Sequence, residues 1–232
     1  MRILVVIVLA FACRLHAVEL APPANSRQLV AVATGGWSDT SGTLRRFERS
    51  KAREPWRAVG PAISVKVGRA GMAWGLGLHT TPPTGPRKIE GDKKAPAGVF
   101  RLTIAFGSDA KPAGVTLPYI RLVPGIEGVD DPASRHYNQI VDRARIVQPD
   151  WHSSEKMAAV GKEYRRGIFV GHNPKATPGA GSCIFLHVWR HPFHATTGCT
   201  AMPLEAVAEL QRWLRPEENP VLIQCPTAFF AR

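Results

Sequence analysis

The sequence predicts a mainly β fold, a sandwich or barrel of short strands, with one clear helix near the C-terminus. Two observations carry this. Twenty prolines and twenty-one glycines are spread through 232 residues, and they cut the chain into runs suited to short strands and loops. The apolar runs between them are rich in β-branched and aromatic residues, while only one stretch has the period of an amphipathic helix.

In chain order, Met1-Arg2 is a short basic start and Ile3 to Ala12 an unbroken apolar run. Small-residue cleavage options follow at Ala10-Phe11-Ala12 and Leu15-His16-Ala17. This is the layout of a secretory signal peptide, too short to remain as a membrane-spanning helix. Residues 1–17 are expected to be removed, 18–27 to form a Pro-containing linker, 28–226 to form one domain, and 227–232 a tail. Gln28 to Ala33 reads as a strand with Thr43 to Glu48 as its hairpin partner. Ala62 to Val67, Gly98 to Phe106, Tyr164 to Val170, Cys183 to Trp189 and Val221 to Gln224 read as further strands. Pro203 suits a first helical turn. Leu204, Val207, Ala208, Leu210 and Leu214 then form an apolar stripe, with Glu205, Glu209 and Arg212 outside it and Pro216 as the stop.

Hydrophobic residues make up 44% and charged residues 21%, the balance of a soluble globular chain. The formal charge is +12. Its basic residues are scattered as single residues and short pairs such as Arg45-Arg46, Lys93-Lys94 and Arg165-Arg166, so no basic helix for nucleic acid is formed. In an exported chain the charge suits an anionic extracellular polymer or a solvated surface. No stable membrane insertion is expected after cleavage, and oligomeric state is not encoded in any pattern of the sequence.

Removal of Cys13 with the leader would leave Cys183, Cys199 and Cys225, an odd number that leaves at least one thiol unpaired within the chain. Cys183 and Cys225 sit in apolar, strand-like runs and are expected in the core. Cys199 lies between Gly198 and Thr200, just ahead of the helix. A helix N-terminus favours thiolate over thiol. Gly198 would let the backbone bend so that nearby N–H groups converge on a developing oxyanion. His187, at the end of the preceding strand, is placed to take the sulfur's proton.

The segment Cys183-Ile184-Phe185-Leu186-His187-Val188-Trp189, followed by Thr196-Thr197-Gly198-Cys199-Thr200-Ala201-Met202, resembles the signature of the YkuD-type L,D-transpeptidases. Upstream blocks support the resemblance: Gly68 to Gly75, Glu90-Gly91-Asp92, Ala95 to Phe100, Val129-Asp130-Asp131-Pro132 and His172-Asn173. It spans about residues 28 to 226. It implies a mainly β L,D-transpeptidase-type catalytic domain, with Cys199 as nucleophile, His187 as proton acceptor and Gly198 in the oxyanion turn. It implies peptidoglycan stem peptides as substrate, no metal and no organic cofactor, and a place in the periplasm or cell wall. Thr197 stands where many members carry histidine, leaving the N–H groups of Gly198 and Cys199 to hold the oxyanion. Ala201 stands where many carry arginine or asparagine, so Arg190 or another basic side chain is expected to replace that contact. His172 and Trp189 are further candidates for the substrate cleft.

Other readings stay open at this level. Water could resolve the thioester, giving an L,D-carboxypeptidase or amidase, or the basic surface could serve a non-catalytic wall-binding domain. His187, His191, His194 and Cys199 have spacings that could suit zinc, although Pro192 interrupts them and no CxxC pair is present. Asp130-Asp131 and Glu90/Asp92 suit turn capping or ion pairs better than an acidic catalytic pair.

Overall fold

Alternating and continuous apolar runs of the chain become thirteen strands and one α-helix in the computed structural model, which describes residues 20–82 and 84–230. The leader read at 1–17, the first two linker residues and the last two tail residues lie outside the described residues. The strands are β1 (Gln28–Thr34), β2 (Ser41–Glu48), β3 (Arg57–Lys66), β4 (Met72–Trp74), β5 (Ala95–Gly107), β6 (Tyr119–Arg121) and β7 (Ile126–Val129). They continue with β8 (Gln139–Asp142), β9 (Ser154–Lys156), β10 (Arg166–Val170), β11 (Phe185–Val188), β12 (Thr200–Met202) and β13 (Val221–Pro226). The helix is α1 (Leu204–Trp213).

Ten strands form one sheet in the order β10-β11-β12-β3-β2-β1-β13-β5-β4, with β6 beside β5. β5 is thirteen residues long and pairs with β13 through residues 98–101 and with β10 through residues 102–107. That double pairing brings the two ends of the path together, so the sheet curls into a barrel. The β1–β2 hairpin has the expected antiparallel register, Val30 opposite Arg46 and Val32 opposite Leu44. Val30, Val32, Leu44, Phe100, Leu102, Ile168 and Leu186 are fully or almost fully removed from solvent. At roughly 25 cal/mol per Å² of apolar surface, this core is the main favourable term in folding.

α1 packs its buried face, Ala206, Val207 and Leu210, against β10 and β11, while Glu205, Glu209 and Arg212 stay exposed as their spacing requires. Gln211 is also buried, and its amide donates to the carbonyls of Phe106 and Gly167, both at 2.9 Å. A buried amide is tolerable only with such partners. Pro203 is the residue before the helix, not inside its first turn.

A second sheet, β8-β7-β9, has no counterpart in the strand pattern read from the sequence. Its segments are short and mixed in polarity, and their packing depends on buried polar groups. Glu127, 5% exposed, is held by Lys156 Nζ at 2.6 Å, Ser154 Oγ at 2.6 Å and Trp151 Nε1 at 2.9 Å. Asp131 caps the following turn by accepting from the N–H groups of Ala133 and His152. Asn138 joins this sheet to the barrel: its amide donates to the carbonyls of His172 and Asn173, and its oxygen accepts from the N–H of Cys183 at 2.9 Å.

Candidate active site

β11 and β12 run parallel, with His187 opposite Ala201. Directly opposed residues project from the same face of a sheet, and residues two apart along an extended chain share a face. This places Cys199 and His187 on one side of the sheet. Both line a cavity of about 360 Å³ together with Ala201, Thr197, Tyr164 and Glu155. Cys199 also borders a second cleft of about 420 Å³, whose walls include Lys88, Glu90, Asp130, Ser182 and Cys183. The sulfur therefore stands where two cavities meet.

Cys199 is 8% exposed. Its sulfur receives the N–H of Phe185 at 3.4 Å, and its thiol points toward the Cys183 carbonyl at 3.8 Å. Burial pushes the thiol up to about 12, with the nearby Glu155 carboxylate adding to the shift and the Phe185 N–H and Lys88 opposing it. The expected helix-end activation is therefore corrected. Cys199 leads into β12, and α1 begins only at Leu204, too far for a terminal dipole that fades within one turn. A desolvated sulfur with a carboxylate nearby remains a thiol.

The imidazole of His187 lies edge-on to Tyr164 at 5.3 Å. Its Nδ1 is 2.8 Å from the Val188 carbonyl. A carbonyl only accepts, so Nδ1 carries the proton of the neutral ring. Burial moves the imidazole below its ordinary range, opposed by the carbonyls of Val188 and Glu163 and by the Glu163 carboxylate. The cavity is thus lined by a thiol and an imidazole, both kept neutral by burial.

Gly198 has φ +150°, a conformation that residues with a side chain rarely adopt. Its N–H is committed to Thr196 Oγ1 at 3.1 Å, and the same hydroxyl donates to the Cys199 carbonyl at 2.6 Å. This corrects the expectation of two oxyanion donors. The Gly198 N–H braces the turn, while the Cys199 N–H has no acceptor among the described residues.

These observations agree with a comparison against known families: residues 38–223 match the YkuD family, described as the L,D-transpeptidase catalytic domain. The chain belongs to the YkuD family. No curated protein and no solved structure matches it. The YkuD match supports L,D-transpeptidase-type chemistry on peptidoglycan.

Within this YkuD domain the remaining candidates divide. Thr197 is exposed and borders both cavities. Arg190 borders the cavity that holds His187, with its guanidinium paired to Glu163 at 2.7 Å. His172 is not a cleft residue. It is 1% exposed, its Nδ1 accepts from the Leu76 N–H and its Nε2 donates to the Ala180 carbonyl. Burial pushes it down to about 4, so it serves as a neutral internal brace. Trp189 borders neither cavity.

His191 and His194 meet edge-to-face, ring centroids 5.7 Å apart, in an exposed turn, and no group of three or more metal-ligating side chains occurs among the described residues. Cys183, Cys199 and Cys225 are all free and buried. Cys183 is not in a strand; it has φ +50° and lines the second cleft. No helix among the described residues is long and apolar enough to cross a membrane.

Glu155, Tyr164, Lys88 and Ser182 were not singled out in the sequence. Glu155 comes from a polar run, Ser153-Ser154-Glu155-Lys156, which has no periodicity to mark it. Tyr164 reads there as a strand residue and is instead the end of a 3-10 turn.

Proposed function

We propose that this YkuD protein is an exported cysteine acyltransferase that cross-links peptidoglycan stem peptides, its leader being residues 1–17. The observation that carries the reading is that Cys199, in the turn leading into β12, and His187, on the neighbouring β11, line one cavity, with Cys199 also bordering a second. Two cavities at one sulfur suit a reaction with two peptide substrates. As the sulfur attacks the carbonyl between an L-centre and a D-amino acid, Nε2 of His187 takes its proton. The Cys199 N–H faces the developing oxyanion. The imidazolium then protonates the departing amine, leaving a thioester on Cys199. An amine of a second stem attacks that thioester, and its proton returns through His187 to the sulfur.

The test is exposure of the reduced protein to a carbapenem, followed by intact mass and peptide mapping. One adduct on Cys199 is expected, absent from Cys199→Ala, which should keep its circular dichroism spectrum because it removes one sulfur from the smaller apolar cluster around Phe185 and leaves the main core untouched. Absence of an adduct on folded wild-type protein would overturn the assignment. Incubation with labelled tetrapeptide stems then decides the outcome: cross-linked dimers mark transfer, tripeptide alone marks hydrolysis, and no turnover marks a wall-binding domain.

A further inference from the structure

We infer that Glu155 receives the acceptor amine, holding it as an ammonium and taking its first proton before it attacks the thioester. This deepens the acyl-transfer reading above and rests on it. The attacking nitrogen must hand a proton to His187, so it has to enter the cavity that His187 lines. Two carboxylates lie on that cavity, Glu155 and Glu163. Glu163 is already neutralised by Arg190 at 2.7 Å. Glu155 has only the Tyr164 hydroxyl, at 2.7 Å, and no cation among the described residues pairs with it.

That lack of a cationic partner arises in a chain with thirty basic and eighteen acidic residues. It follows from the register of β9. Lys156 projects to the opposite face and pairs with Glu127, while the residue opposite Glu155 on β7 is Gly128, which has no side chain to offer. A side chain at Gly128 would also press on Cys183 Sγ. The fold therefore leaves a half-buried carboxylate facing open space beside the nucleophile. Burial and the neighbouring Asp130 both raise its proton affinity, against the opposing Tyr164 hydrogen bond, and a bare negative charge here costs free energy until a cation arrives. The cavity's own cations do not cancel it, since Arg190 is held by Glu163 and Arg69 is exposed at the rim.

The step balances as follows. An N–H bond of the ammonium breaks as an O–H bond forms on Glu155. The free amine forms a C–N bond with the thioester carbonyl, the C–S bond breaks, and a second amine proton passes through His187 to the sulfur. Glu155 then returns its proton to solvent.

The experiment loads full-length wild-type protein and Glu155→Gln with a labelled tetrapeptide donor. Each acyl-enzyme is then offered D-alanine, whose amine is a cation at neutral pH, or hydroxylamine, which is not. Glu155→Gln should still acylate, at a rate measured separately because the Glu155 carboxylate acts on the Cys199 thiol, and its acyl-enzyme should partition to hydroxylamine as the wild type does. It should lose roughly ten- to a hundredfold in transfer to D-alanine, the usual worth of a hydrogen bond to a charged group. Failure of wild-type protein to acylate would sink the underlying transferase reading. A Glu155→Gln acyl-enzyme with unchanged D-alanine partition, or with equal loss for both nucleophiles, would overturn the role of Glu155. An arm independent of the variant's folding uses wild-type protein and betaine, a quaternary ammonium that cannot attack. Betaine should compete with D-alanine and spare hydroxylamine; no competition overturns the proposal.

Discussion

Titration of Cys199 tests the resting state of the site. Burial pushes the thiol up to about 12. At pH 7 this corresponds to roughly one thiolate in 10⁵ molecules, against about one in 10² for an unperturbed thiol, a deficit of about a thousandfold. His187 is shifted the other way, toward its neutral form. Iodoacetamide reacts with thiolate, so its rate at Cys199 should rise about tenfold per pH unit from pH 7 to 10 without a plateau. His187→Ala should keep that slope. Carbapenem acylation depends instead on neutral imidazole. It should fall only on an acid limb below the ordinary histidine value of about 6.5 and stay level above it. Peptide-mapped mass spectrometry from pH 5 to 10 separates Cys199 from Cys183 and Cys225. A flat alkylation rate from pH 6 upward, lost in His187→Ala, would show a thiolate–imidazolium pair at rest and refute the reasoning.

Two further outcomes follow from the geometry around Cys199. In Gly198→Ala the new Cβ would lie 3.3 Å from the Lys94 carbonyl, so space is nearly sufficient and the cost is backbone strain of about 1–3 kcal/mol. Calorimetry should show a Tm lower by roughly 2–12 °C, and relaxation of the turn should slow acylation by about a hundredfold; unchanged Tm and rate would refute the strain argument. Asn138→Ala removes three buried hydrogen bonds that tie the second sheet to the barrel. About 3 kcal/mol and a Tm drop of roughly 6–12 °C are expected, with slower acylation because Cys183 and its carbonyl lose their brace; a Tm change under one degree would show that this junction carries little stability.

The legible parts of the fold were those with a strong local signal. The β1–β2 hairpin has continuous apolar alternation, and α1 has a stripe at helical spacing, so both were readable within a residue or two of their ends. β3 begins five residues earlier than Ala62 because Arg57 to Pro61, exposed except for the half-buried Val59, carry no apolar pattern. β4, β6 and β12 are three residues long, too short for any period to register. Missing β12 had a chemical consequence: the nucleophile was placed at a helix end, and its thiol was expected to be activated there.

By itself the sequence determined the mainly β class, the pairing of a strand histidine with a Gly-Cys turn, and the glycine that such a turn requires. These depend on residue types and spacings within a few positions of one another. Tertiary structure alone decided the protonation of Cys199, the partner of His187 Nδ1, the retreat of His172 into the core, and the unpaired state of Glu155. Each is set by desolvation and by charges on distant segments: Glu155 on β9 acts on a sulfur forty-four positions later in the chain. Electrostatic free energy in a protein follows distance and burial in space, and neither can be read along a line of residues.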